Sequence, residues 1–192
     1  MGYHFFAYLG RMKFIKRWSL MHSGVNENIM EHSEQVAQFA HALAVINNKV
    51  FSGNADAGKC TILAVFHETG EVITGDLPTP VKYFNQKIKT AYKELETVAN
   101  EKLLTMLPEE LKDEYRKVVL PDLDQYEYKL VKAADKLSAY VKCVEEVRAG
   151  NKEFSKALKS IGKELEANPL PEVQYFIKNF IGGFQKTLDE LE

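Results

Sequence analysis

Residues 60–80 read CTILAVFHETGEVITGDLPTP. Ile62, Val65 and Phe66 recur at helical spacing, and the run then carries His67, Glu68 and Glu71 where its buried face should continue. Ionisable groups are costly to desolvate, so this face is either exposed or met by a compensating partner, of which a bound metal is one. On an ideal helix at about 100° per residue, His67 and Glu71 lie roughly 40° apart, with Glu68 in the same third of the circumference. All three can face one cavity.

Outward from this stretch the same spacing of three and four repeats, strand-like alternation is scarce, and no internal repeat is visible. Phe5, Leu9 and Met12 begin one stripe, and Val36, Phe39, Ala40, Leu43 and Ile46 form a second. Ile88, Tyr92, Leu95, Val98, Lys102 and Met106 trace a long amphipathic helix, and Leu130, Ala134, Leu137, Val141 and Val144 another. Val173, Phe176, Ile177, Phe180, Phe184, Leu188 and Leu191 predict a last one. Gly, Pro, Asn and Asp punctuate the gaps, and Asn28 with Glu31 has the spacing of a reciprocal helix cap. Residues 107–124 have a weak pattern that admits a short helix without requiring one. The chain reads as an all-α helical bundle.

A length of 192 residues suits one domain, 1–192, with a substantial core. Apolar residues make up 45%, and a formal net charge of −2 argues against a nucleic-acid polymer or an anionic membrane surface as partner. Cys60 and Cys143 lie inside apolar helical patterns without paired spacing, which predicts buried free thiols in a reducing compartment. The N-terminal run lacks a signal-peptide pattern, and no segment reaches the roughly 18 apolar residues of a membrane span. A cytoplasmic location is expected.

Two further residues belong with the opening stretch. His32 lies on the apolar stripe of the second helix, and Asp135 interrupts LVKAADKLSAYV, which is otherwise suited to burial. Imidazole nitrogen with carboxylate oxygen suits a divalent first-row metal better than calcium. Spacing alone leaves the ordinary alternatives open: a hydrogen-bonded core histidine and a salt-bridged aspartate.

His32, then His67 with an acidic neighbour, then Asp135 resembles the H…HD…D pattern of the HD-domain metal-dependent phosphohydrolases, a helical superfamily. Within it, HFFAYLGRMKFIKRWSLM (4–21), ENIMEHSEQVA (27–37), EVITGDLPTPVKYFN (71–85) and KAADKLSAYVKCVEE (132–146) resemble the bacterial 5′-deoxynucleotidases, which hydrolyse deoxyribonucleoside 5′-monophosphates. The likeness runs over nearly the whole chain and is weakest after about residue 150. One departure stands out: Glu68 occupies the place of the family's aspartate.

The resemblance implies a divalent cation held by His32, His67, Glu68 and Asp135. Cobalt, manganese or copper is the family's usual ion, with zinc or magnesium as further candidates. It implies Glu71 as the catalytic glutamate, a substrate loop of Asp76, Leu77, Pro78 and Thr79, and nucleotide contacts from Arg17 and Trp18 that exclude the ribose 2′-hydroxyl. On chemical grounds Arg17 offers a planar donor fork to phosphate and Trp18 a flat wall, while an exposed arginine beside a core tryptophan is the plain alternative. Gly75 can turn the chain, and Pro78 and Pro80 stiffen the residues beyond it. His4, His22 and His41 carry no chemistry in this reading, and Gly182-Gly183 reads as a kink or packing site. Family members are homodimers, and apolar residues left on the outer faces of the fourth and last helices suit that expectation. Two alternatives remain: a phosphohydrolase of another phosphorylated substrate, and a nucleotide-binding protein that has lost turnover through Glu68.

Overall fold

A computed structural model describes residues 2–192. Helix α1 (Phe5–Leu9) leads through a tight turn at Met12–Phe14 to the long α2 (Ile29–Val50). The start of α2 is the cap expected from the sequence. Asn28 Oδ1 accepts from the amides of Met30 and Glu31, each at 3.0 Å, and Glu31 Oε2 accepts from the Asn28 amide at 3.3 Å. Such a cap contributes about 1 kcal/mol.

Helix α3 (Ala57–Phe66) ends one residue before His67, which corrects the expectation of one helix running through Glu71. The cause is competition for carbonyls. His67 Nδ1 donates to the Ala64 carbonyl at 2.7 Å and Thr69 Oγ1 to the Phe66 carbonyl at 2.9 Å, oxygens that the amides of Glu68 and Gly70 would otherwise use. The chain tightens instead, with the Glu71 amide on the Glu68 carbonyl at 3.1 Å, before α4 (Glu71–Thr74). In a three-residue turn side chains at i and i+3 eclipse, which stacks Glu68 and Glu71. Gly75, at φ 73°, turns the chain out as expected. The segment after it is not all loop: Thr79–Lys82 forms the single turn α5.

Helix α6 (Gln86–Leu104) faces inward on a different line from the one predicted. Tyr92, Ala99, Leu103 and Leu104 are buried, whereas Leu95 and Val98 are 49% and 63% exposed. The inward line meets α1 and α7 (Glu109–Val119), in a second core of Phe5, Leu103, Leu104, Leu107 and Val119. Helix α7 fills most of the stretch whose sequence pattern is weak.

Helix α8 (Tyr126–Arg148) buries all five residues of its expected stripe and packs against α2 and α3. The main core lies between these three, with Val36, Ala40, Leu43, Leu63, Leu130, Leu137 and Val141 nearly inaccessible. Each of these valine and leucine side chains contributes on the order of 1.5–3 kcal/mol relative to exposure. Helix α9 (Ser155–Glu166), missed in the sequence although Leu158, Ile161 and Leu165 recur at helical spacing, lies on α8. Helix α10 (Pro171–Phe180) covers α2. It stops well short of Leu191, the end expected of the last helix, because the chain tightens into a 3-10 segment at Ile181–Gln185 around Gly182-Gly183. Cys60 and Cys143 are buried free thiols. Among the described residues no strand forms, and no helix is long and apolar enough to cross a membrane.

Candidate metal centre

Where α2, α3 and α8 converge, His32, His67, Glu68 and Asp135 each offer one ligand atom, all within 4.8 Å of one another. His67 defines the centre. Its Nδ1 faces a carbonyl, which only accepts, so the proton of the neutral ring sits there and Nε2 carries a bare lone pair. That nitrogen is buried without a hydrogen-bond partner. The atoms facing it, Glu68 Oε1 at 3.3 Å and Asp135 Oδ1 at 4.0 Å, are themselves acceptors. Burial pushes the His67 ring down to about 4, so the ring does not supply a proton at neutral pH. Converging lone pairs of this kind fit a cation, and two imidazoles with two carboxylates fit a divalent first-row ion.

The carboxylates are ionised. Burial pushes the Glu68 carboxyl up, but His67 and Lys132 outweigh it and hold the group at about 2. Burial likewise opposes ionisation of Asp135, while Lys132, whose Nζ donates to Asp135 Oδ2 at 2.7 Å, leads the groups that hold it well below the carboxylate range. Glu68, one methylene longer than aspartate, still reaches the centre.

His32 is fully buried and sits between two sets of partners. Its Nε2 lies 3.1 Å from Asp135 Oδ1, and its Nδ1 lies 2.6 Å from an Arg17 guanidinium nitrogen and 3.0 Å from Ser138 Oγ. Arginine only donates, so with Arg17 in this place Nδ1 accepts and the ring proton lies on Nε2. A cation on Nε2 requires the proton on Nδ1 instead, so Arg17 gives up its contact with the ring and Ser138 Oγ is the acceptor that meets the new N–H.

Glu71 is buried beside this cluster and its Oε2 has no hydrogen-bond partner. Burial and then the charge of Glu68 push its carboxyl up to about 11. Asp76 shares the same field. Burial raises its carboxyl, with Arg17 drawing it down and Glu68 pushing it up. Leu77 and Pro78 lead into α5, which Thr79 opens, and among the described residues none of the three hydrogen-bonds to the metal cluster.

Arg17 and Trp18 approach from the segment before α2. Trp18 has φ 59°, in the left-handed region, a strain of roughly 1–3 kcal/mol that surrounding contacts must hold. Its indole packs against Phe154 with ring centres 5.2 Å apart. Both members of the pair end on Glu27 Oε2, Arg17 at 3.0 Å and Trp18 Nε1 at 3.0 Å. The residues between are pinned to α8. Buried Glu146 accepts from the amides of Gly24 and Val25, from Ser23 Oγ, from Asn151 Nδ2 and from Lys142 Nζ.

His4, His22 and His41 are exposed and lie outside the cluster, as expected. Sequence reasoning missed Glu27, Ser138, Glu146 and Lys132. Ser138 had a readable signal, a polar residue one turn from Asp135 on a buried stripe, and Lys132 lies one turn to the other side. Glu27 had none, because its partners are defined by a non-helical fold of the chain.

A family model described as YfbR-like 5′-deoxynucleotidase matches residues 4–184. A 5′-deoxynucleotidase of Shewanella oneidensis is 50% identical over 189 residues, covering 98% of this chain and 97% of the relative. One of Vibrio cholerae is 50% identical over 189 residues with the same coverage of both chains. Among solved structures, an HD-domain phosphohydrolase of Listeria innocua superposes with a TM-score of 0.83 at 20% identity, covering 94% of this chain and 88% of that one. The cyanophage S-2L HD phosphohydrolase, solved with dA and one catalytic zinc ion, does so with a TM-score of 0.64 at 16% identity, covering 92% and 96%. The fold is that of the HD phosphohydrolases, and the chain belongs to the YfbR-like 5′-deoxynucleotidase family.

Proposed function

We propose that residues 1–192 form one HD-type domain that hydrolyses deoxyribonucleoside 5′-monophosphates to deoxyribonucleoside and phosphate. The observation that carries this reading is the orphaned His67 Nε2, facing the two carboxylates at the meeting point of three helices. Phosphate monoesters hydrolyse extremely slowly in water, so the site has to neutralise charge, place a water and manage its proton.

His32, His67, Glu68 and Asp135 hold a divalent cation, which supplies positive charge against the phosphoryl oxygens. Cobalt, manganese or copper is the expected ion, with zinc or magnesium as further candidates. The zinc of the cyanophage protein keeps that ion on the roster. Glu71, buried beside Glu68, positions the attacking water, and it becomes able to accept that water's proton once a cation offsets the Glu68 charge that helps to raise its carboxyl. Arg17 offers its guanidinium fork to the phosphate, and Trp18 walls the sugar so that a 2′-hydroxyl finds neither room nor partner. Asp76, Leu77, Pro78 and Thr79 border the substrate from the turn after Gly75. Release of phosphate from dAMP, lost in Asp135→Ala, supports this reading; equal release from both proteins contradicts it.

The non-catalytic alternative draws on Glu68 alone, and the reach of Glu68 Oε1 to 3.3 Å from His67 Nε2 weighs against it. The protein is further proposed to act in the cytoplasm as a homodimer. Exposed Leu95, Val98, Phe180, Leu188 and Leu191 supply apolar surface for such contacts.

A further inference from the structure

Glu27 lies outside the metal cluster, yet one of its oxygens is the common acceptor for Arg17 and for the Trp18 indole N–H. The carboxylate is held in place by the backbone. The Arg17 amide donates to the Glu27 carbonyl at 2.9 Å, the Ile29 amide donates to the Ile15 carbonyl at 3.0 Å, and Lys16 and Asn28 form an isolated antiparallel bridge. The next residue, Asn28, caps α2, the helix that carries His32. The indole is thus referenced, through one carboxylate, to the helix that supplies a metal ligand. An unsupported tryptophan at positive φ has no comparable reason to stay in one place.

We propose that Glu27 is the positioning residue for sugar selectivity, fixing the indole of Trp18 and the guanidinium of Arg17 relative to the metal centre. This rests on the reading that Arg17 and Trp18 contact the nucleotide. Either side chain alone has rotameric freedom; sharing Glu27 Oε2 makes the pair one unit. Its stiffness sets how completely a 2′-hydroxyl is rejected.

Trp18 is the single tryptophan of the chain, so its emission reports its position without any turnover. The full-length protein, loaded with the cation that supports turnover, is compared with Glu27→Ala, Glu27→Gln and Glu27→Asp. Acrylamide quenching of Trp18 and kcat and KM for dAMP and AMP are measured on each. In Glu27→Ala the indole is expected to become more accessible to quencher. The preference for dAMP over AMP should fall roughly ten-fold, with KM for dAMP rising more than kcat falls. Glu27→Gln keeps one acceptor oxygen and should fall between, and Glu27→Asp should recover part of the preference. Trp18→Ala separates the two levels. If it abolishes the preference while Glu27→Ala and Glu27→Gln leave quenching and preference unchanged, the role of Glu27 is overturned and the nucleotide reading stands. If Trp18→Ala also leaves the preference unchanged, the contact assigned to Trp18 falls and this proposal falls with it.

Discussion

Ser138 Oγ lies 3.0 Å from His32 Nδ1 and donates its own hydrogen to Gln35 Oε1 at 2.7 Å. With that hydrogen committed, the hydroxyl oxygen is left as an acceptor for a protonated Nδ1, the tautomer that frees Nε2 for a cation. Ser138→Ala is therefore expected to weaken cation affinity about 10–100-fold without unfolding the protein. Titration of metal-stripped protein by calorimetry checks this, and an unchanged affinity contradicts it.

Glu71, proposed to act on the water, lies outside the ligand set. Glu71→Gln is expected to lower kcat for dAMP by about 10²–10⁴-fold. Cation binding should stay within a few-fold, so metal content and phosphate release should separate in this variant.

Glu146 anchors the segment between Trp18 and α2 from inside α8. Removing it leaves the buried Lys142 ammonium without its carboxylate, a loss of about 3–5 kcal/mol in Glu146→Ala by chemical denaturation. Burial opposes ionisation of Glu146, but Lys142 and then Asn151 outweigh it and hold the carboxyl well below its usual range. A depressed carboxyl contributes stability that is fully present above its unfolded value near roughly 4.3 and is lost as pH falls toward the folded value. Glu146→Gln should flatten the acid limb of the stability profile.

Burial pushes the thiols of Cys60 and Cys143 up to about 12. Both should resist a disulfide reagent at pH 8 in the folded protein and react together once denaturant is added. Rapid reaction of either thiol in the native state contradicts this placement.

Much of the centre was legible because its ligands interrupt apolar stripes. His32 and Asp135 are polar residues on faces that otherwise bury Val36, Leu130 and Leu137, and that mismatch is visible in one dimension. The His67–Glu71 stretch was legible as chemistry but not as geometry. The break after Phe66 depends on side chains capturing the carbonyls of Ala64 and Phe66, which helical periodicity does not register. The inward line of α6 was misread because Leu95 and Val98 are apolar yet exposed, while small Ala99 is the residue that fits against its neighbours. Glu27 was invisible, since its role depends on an antiparallel contact between Lys16 and Asn28 across a segment without periodic pattern.

The most direct test of a metal-dependent deoxynucleotidase is phosphate release from dAMP and from AMP by metal-stripped protein, with cobalt, manganese, copper, zinc or magnesium restored one at a time. No release is predicted without a cation, and restored release from dAMP should far exceed that from AMP. Equal release from both nucleotides contradicts the role of Trp18, and no release with any ion contradicts the catalytic reading of a centre that contains Glu68.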